Sequence, residues 1–310
     1  MSASRRGERP APRVAFIGLG HMGGPMCRHV VQAGFDVSAY DLDPAALARA
    51  AGAGARPAAG IGDCVSGADV LLTSLPGPPQ VEDVLCGPAG AIAAMTAGAL
   101  VVEMSTSSLQ VGRRAHAAAA AAGVELIDAP VAGQTIGAEA ATLSIYVGGD
   151  AGAVARSRPL LEAVGNRERI FHVGPAGSGY TVKLLLNLTW FIQAVATAEA
   201  LTVGVKAGVD LAKLHGALVD SPASSVFLAR DVLPLLDRGD YDEGFSMRLV
   251  TKDLGLALDL ARDVGVPVEL SALVEQIHRR ARAAYGDAAG EMSAVRLYED
   301  LAAVKLRWDA

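Results

Sequence analysis

The sequence predicts an α/β fold with a mostly parallel sheet in its first half and an all-helical second half. Three observations predict it. Strand-type and alanine-rich helical segments alternate through the first half, a glycine-rich turn joins the first strand to the first helix, and almost no strand signal follows the cluster "FHVGPAGSGY" at Phe171–Tyr180.

The strand segments are Arg13–Ile17, Asp36–Tyr40, Val70–Ser74, Leu100–Glu103, Glu125–Asp128 and Leu143–Val147, with helical stretches Met22–Ala33, Pro44–Ala51 and Gln110–Ala122 between them. Strand, helix, strand at this spacing means βαβ units. The alanine run Ala117–Ala122 reads as the tightly packed face of a helix, since alanine is the best helix former. Beyond the glycine and proline cluster, read as a hinge, come amphipathic helices at Thr181–Ala207, Leu211–Leu218, Ser225–Leu236, Thr251–Val264 and Ser271–Ala284. The division expected is a leader at 1–12, a first domain at 13–176 and a helical domain at 177–310.

Composition bounds the rest. The 310 residues suggest two domains at about 100–200 residues each. Hydrophobic residues at 51% against 19% charged exclude disorder for the bulk of the chain. Lys plus Arg is 27 against Asp plus Glu 33, a net of −6, which is not the footprint of a nucleic-acid binder. Three cysteines without a CxxC pair support neither a disulfide framework nor a zinc knuckle, and a reducing, cytoplasmic setting is expected. The six histidines show no metal-ligand spacing, so no metal is expected. Met1–Pro12 is polar and basic and lacks the apolar core of a signal peptide. Between Lys183 and Lys206 the only charge is Glu199, a run of membrane-spanning length. It also holds Asn187, Thr189, Gln193, Thr197 and Thr202, so a helix buried within protein is the reading, with no membrane and with Glu199 paired to a neighbouring helix.

Chemistry concentrates at two places. "VAFIGLGHMGGPM" carries Gly18-x-Gly20-x-x-Gly23 directly between the first strand and first helix. In that context Gly18 permits the tight turn, Gly20 lets backbone approach a pyrophosphate, and Gly23 allows close helix–strand packing, while the helix N-terminus offers N–H donors. The second strand ends at Asp41, 18 residues beyond Gly23. A carboxylate there can accept the ribose hydroxyls and repel a 2′-phosphate, and no Arg follows in Leu42-Asp43-Pro44, which favours NAD over NADP. The alternative is a generic βαβ turn with Asp41 capping a helix. The second place is "GSGYTVKLLLN", where Lys183 and Asn187 share one helix face. An ammonium among leucines, partly desolvated and turned towards a polar ligand, would have its pKa drawn down from about 10.4 towards a range useful for proton transfer. A snorkelling lysine with Asn187 as a helix–helix hydrogen-bond partner is the competing reading.

Four motifs in order, "GLGHMG" at 18–23, "DAPVAG" at 128–133, "GSGYTVKLLLN" at 177–187 and "KDL" at 252–254, resemble the β-hydroxyacid dehydrogenase family across nearly the whole chain from Arg13. The resemblance implies an N-terminal Rossmann domain and an all-α C-terminal domain joined by the long helix that carries Lys183. It implies that Gly18, Leu19, Gly20, His21, Met22 and Gly23 hold the cofactor, with Leu75, Pro76 and Gln80 flanking its adenosine side and Thr106 at the nicotinamide ribose. Lys183 would be the general acid/base, Asn187 its neighbour in holding substrate, Lys252 a contact to nicotinamide and substrate, and Phe245 an apolar wall. The family loop "DAPVSGG" here ends Ala132-Gly133-Gln134: a hydroxyl that would bind the substrate carboxylate is missing, and an amide stands where the family has glycine. The function implied is hydride transfer between NAD(H) and a short-chain β-hydroxy acid or matching semialdehyde. The alternative is a related reductase of another carbonyl or imine with an altered carboxylate loop, although imine reductases of similar fold generally lack the lysine. Long apolar helix faces and the resemblance together suggest a homodimer or homotetramer.

Overall fold

The structure, a computed structural model, describes residues 11–242 and 244–308. The leader read at 1–12 lies, up to Pro10, outside the described residues. The chain divides into two compact units, Met1–Lys183 and Leu184–Ala310.

In the first unit the strands are β1 (Arg13–Ile17), β2 (Asp36–Tyr40), β3 (Arg56–Pro57), β4 (Val70–Thr73), β5 (Leu100–Glu103), β6 (Glu125–Asp128), β7 (Val131–Ala132), β8 (Leu143–Gly148) and β9 (Gly165–Gly174). They form one sheet in the order β3-β2-β1-β4-β5-β6-β8-β7, with β9 alongside β8. The first six strands pair in parallel; β8 runs antiparallel to β6 and β7. The helices are α1 (Gly23–Gln32), α2 (Pro44–Gly52), α3 (Ile61–Val65), α4 (Pro78–Cys86), α5 (Ala91–Ala94), α6 (Leu109–Ala121), α7 (Gln134–Glu139) and α8 (Ala151–Val164).

The central strands are mostly apolar because both faces are covered. Val14 and Phe16 of β1 join one core with Met26 and Val30 of α1 and Leu160 of α8. Ala15 and Ile17 join the other with Val81 and Leu85 of α4 and Ala115 and Ala119 of α6. Only this side of the alanine run is buried: Ala117, Ala120 and Ala121 are exposed.

The segment read as a hinge is built tightly into the first unit. β9 runs to Gly174, and α9 (Ser178–Lys206) starts three residues earlier than expected. Gly177 takes φ +89, and a Cβ on Gly179 would sit 2.6 Å from the Asp128 carbonyl oxygen, so this glycine lets the helix start lie flush against β6.

The second unit holds the rest of α9, then α10 (Leu211–Val219), a π-helical turn (Phe227–Asp231), α11 (Leu233–Arg238), α12 (Met247–Asp263), α13 (Glu269–Tyr285) and α14 (Ser293–Ala302). The single helix expected over Ser225–Leu236 is therefore two elements. Pro234, which lacks an N–H, fits the first turn of α11. Ser225 Oγ accepts the Leu228 N–H at 3.1 Å ahead of the π-helical turn. Ala194, Ala198 and Leu201 of α9 pack with Phe227, Leu235, Leu236 and Val295, so this helix, long and apolar enough to span a membrane, buries one side in the core of the second unit. Glu199 accepts the Tyr298 hydroxyl of α14 at 2.7 Å, the interhelical pairing expected.

Candidate active site

Strand order reverses between β1 and β4, and the glycine turn sits at the carboxyl end of β1, where open α/β sheets bind ligands. Gly18 has φ +93, and a Cβ there would overlap the Ser74 carbonyl that follows β4. A Cβ on Gly23 would overlap the Gly18 carbonyl, which explains the third glycine. Around Gly20 nothing lies within 4 Å of a Cβ position, so its backbone is open to a ligand. Helix α1 has Met22 at its N-cap position and no side-chain cap, leaving first-turn N–H groups to an anion. His21 is exposed and Met22 half-buried.

Asp41 does not cap α2; Asp43 does, accepting the Ala45 N–H at 2.9 Å. Asp41 instead accepts the Leu19 N–H at 2.6 Å and the Asp43 N–H at 2.8 Å, tying the end of β2 to the glycine turn. The turn and the carboxylate are thus one assembly, and the residues present fit a dinucleotide. Leu75, Pro76 and Gln80 follow β4, and Thr106 follows β5, at the same carboxyl edge. The Leu75 N–H donates to Ser105 Oγ at 2.8 Å, fastening these two loops together.

Ala132 ends β7 opposite Ser144 of β8, and Gly133 and Gln134 open α7. Gln134 has φ 56, a left-handed conformation in which a glycine would be unstrained. The exposed loop holds this amide despite a backbone cost of about 1–2 kcal/mol.

Lys183 is half-buried on α9, one turn before the buried Asn187. Asn187 Nδ2 donates to Asp253 Oδ2 at 2.6 Å, and Lys252 Nζ pairs with Asp253 Oδ1 at 2.9 Å. Asp253, 2% exposed, therefore joins two residues that the sequence pointed to separately. Phe245 is half-buried in the turn before α12.

Sequence reasoning passed over Asp253, Asp128, Glu103 and Tyr180. Asp128 caps the start of α9, its carboxylate accepting the Gly177 N–H at 2.7 Å and the Tyr180 N–H at 3.1 Å. Glu103 accepts the Tyr180 hydroxyl at 2.6 Å and the Ser105 N–H at 2.9 Å. Burial pushes the Glu103 carboxyl up to about 7, against the lowering effect of its bonds from Ser105 and Tyr180 and with a further rise from the Asp128 charge. A signal existed: the buried strands "LVVE" and "ELID" each end in an acid.

The sheet, its switch point and the glycine–carboxylate assembly define a Rossmann-type dinucleotide-binding protein. Comparison with known proteins gives the particular family. Residues 13–174 match the NAD-binding domain of 6-phosphogluconate dehydrogenase, and residues 177–298 match the NAD-binding domain of NADP-dependent 3-hydroxyisobutyrate dehydrogenase. A 3-hydroxyisobutyrate dehydrogenase of Pseudomonas aeruginosa is 39% identical over 270 residues, 85% of this chain and 90% of that one. An NAD-dependent L-serine dehydrogenase of the same organism is 36% identical over 274 residues, 86% of this chain and 91% of that one. The structure of Mycobacterium tuberculosis 3-hydroxyisobutyrate dehydrogenase with L-serine superposes with a TM-score of 0.86 at 32% identity, covering 93% of this chain and 99% of that one. The chain belongs to the β-hydroxyacid dehydrogenase family, and is accordingly an oxidoreductase acting on the CH–OH group of hydroxy acids with a nicotinamide cofactor.

Proposed function

We propose that the chain interconverts a short-chain β-hydroxy acid, 3-hydroxyisobutyrate-like in size, and the matching semialdehyde, with NAD(H) as cofactor and Lys183 as general acid/base. The observation that carries this reading is the ordered polar set on α9 and α12. Lys183 shares a helix with Asn187, and Asp253 holds both Asn187 and Lys252 by its two carboxylate oxygens.

A bound nicotinamide supplies the hydride acceptor in oxidation and the donor in reduction. In oxidation Lys183 takes the hydroxyl proton as charge develops on the substrate oxygen; in reduction it returns a proton to the alkoxide. Asn187, whose amide nitrogen donates to Asp253, would hold the substrate through its carbonyl oxygen. Lys252, whose charge Asp253 balances, contributes electrostatic stabilisation. The backbone N–H groups at Gly133 and Gln134 receive the substrate carboxylate, and the Gln134 amide stands in for the hydroxyl that Ala132 lacks.

Asp41 supports NAD over NADP. It is a carboxylate at the end of β2 with no basic side chain at positions 42–44, where a 2′-phosphate would be repelled. The composition, with three cysteines and no CxxC pair, supports a cytoplasmic setting. A second reading, a reductase for another carbonyl substrate, draws on the Ala132 and Gln134 departures alone.

The test is NAD(H)- and NADP(H)-linked turnover on 3-hydroxyisobutyrate, tartronate semialdehyde, 4-hydroxybutyrate with succinic semialdehyde, serine and carboxylate-free analogues. The expected outcome is turnover of one carboxylate substrate with NAD. Turnover confined to a carboxylate-free carbonyl would move the assignment to the second reading.

A further inference from the structure

We propose that Glu103 and Tyr180 are positioning residues for the reaction, forming a buried joint that fixes the turn of α9 carrying Lys183 to the strand ends that present the cofactor-side loops. The proposal rests on the reading of Lys183 as the proton-transferring group.

The joint is fully enclosed: Glu103 and Tyr180 are both 0% exposed. The Tyr180 hydroxyl donates to Glu103 Oε2 at 2.6 Å. Glu103 Oε1 accepts the Ser105 N–H at 2.9 Å and the Thr73 hydroxyl at 3.3 Å. Ser105 Oγ in turn accepts the Leu75 N–H at 2.8 Å. One carboxylate thus gathers β4, β5, the loop bearing Leu75 and the first turn of α9. Tyr180 and Lys183 are three residues apart on that helix and lie on adjoining faces, so the ring sets the rotation at which the lysine emerges.

Two features argue that the joint is kept for placement. A carboxylate buried between Val102 and Met104 is costly, and an apolar pair of similar volume would be at least as stable there. Gly112 interrupts α6 where an alanine would favour the helix, yet a Cβ there would sit 2.6 Å from Tyr180 Cε2. The chain accepts a weaker helix so that the Cδ2–Cε2 edge of the ring can lie close against it.

The joint has two protonation forms. Ionised Glu103 accepts from Tyr180. Because Oε1 already receives the Ser105 N–H, a proton on the acid resides on Oε2, where it faces the tyrosine oxygen and reverses that hydrogen bond. The charged and titratable groups around the pair are Tyr180 itself from α9 and Asp128 from β6, with Cys86 of α4 further off. Asp128 is flanked by His116 of α6, whose Nε2 lies 3.5 Å from Oδ1. Burial, against the lowering effect of the hydrogen bonds, pushes the carboxyl up to about 7, so the two forms exchange near neutral pH.

The experiment compares the full-length protein with Tyr180→Phe, Glu103→Gln and Lys183→Ala, using NAD with 3-hydroxyisobutyrate and with L-serine, from about pH 5.5 to about pH 9. Tyr180→Phe keeps the ring and removes only the donor. It is expected to lower kcat about tenfold or more with little change in KM for NAD. The wild type is expected to gain kcat as Glu103 ionises near neutrality. E103Q places a donor where the protonated acid has one, so it is expected to stay at the acid-form rate without that rise. Hydrogen exchange over residues 177–183 reads the same joint without turnover, and about tenfold faster exchange is expected in Tyr180→Phe. Gly112→Ala, which displaces the ring without touching a polar atom, serves if a polar variant fails to fold and is expected to reproduce the loss of kcat. If Lys183→Ala is inactive while Tyr180→Phe and E103Q keep the wild-type kcat, pH profile and exchange, the joint is overturned and the Lys183 reading stands. If Lys183→Ala keeps full activity, that reading falls and the joint falls with it.

Discussion

At the scale of single residues, three acids serve other groups. Asp41 holds the glycine turn, Asp128 caps α9, and Asp253 holds Asn187 and Lys252. Each spends its charge on orienting a neighbour. Of the three, Asp253 gives the cleanest test. D253N keeps the volume but removes the charge facing Lys252, and its amide can no longer accept from both partners. The expected outcome is a rise in substrate KM of about tenfold, with a smaller fall in kcat, since one charge-assisted hydrogen bond of about 1.5–3 kcal/mol is weakened. Steady-state kinetics read both constants. An unchanged KM would mean that Asn187 and Lys252 do not touch the substrate.

At the scale of elements, the start of α9 is where sequence and tertiary structure meet most tightly. A Cβ on Gly179 would come 2.6 Å from the Asp128 carbonyl oxygen and 2.8 Å from its carboxylate, both fixed groups of β6. G179A is therefore expected to lower stability by about 1–3 kcal/mol, read as a drop in Tm, although alanine alone would favour a helix. Local pattern made β1, β2, β5 and β6 legible to the residue, because apolar runs bounded by turn residues leave no other reading. It did not reveal β9, whose exposed, charged "NRER" start carries no alternation, nor the two-residue β7, which exists only through pairing with β8. The division of Ser225–Leu236 was missed for a similar reason: the proline falls at a position that a new helix tolerates. The glycine turn and the Lys183–Asn187 face were legible because spacing along a chain or helix encodes them. Asp253, Glu103 and Tyr180 were not, since their partners lie up to 77 residues away.

At the scale of the whole molecule, the part of α9 in the second unit buries one side there and leaves Leu185 47% and Val203 68% exposed on another side. Apolar side chains spaced along so long a helix favour self-association, and a dimer or tetramer is the expected state in solution. Light scattering of the purified chain reads this directly, and a monomer at micromolar concentration would refute it. In the proposed reaction Lys183 carries the proton, and the dinucleotide whose pyrophosphate lies at the β1–α1 turn carries the hydride. The most direct test is kcat/KM for NAD-linked oxidation of 3-hydroxyisobutyrate by the wild type and by Lys183→Ala, with NADH binding measured on both. The predicted result is a fall of about 10²–10⁴ in kcat/KM with NADH affinity retained. A variant that oxidises the substrate within about threefold of the wild-type rate would contradict the account, because no such barrier change is compatible with losing the general base.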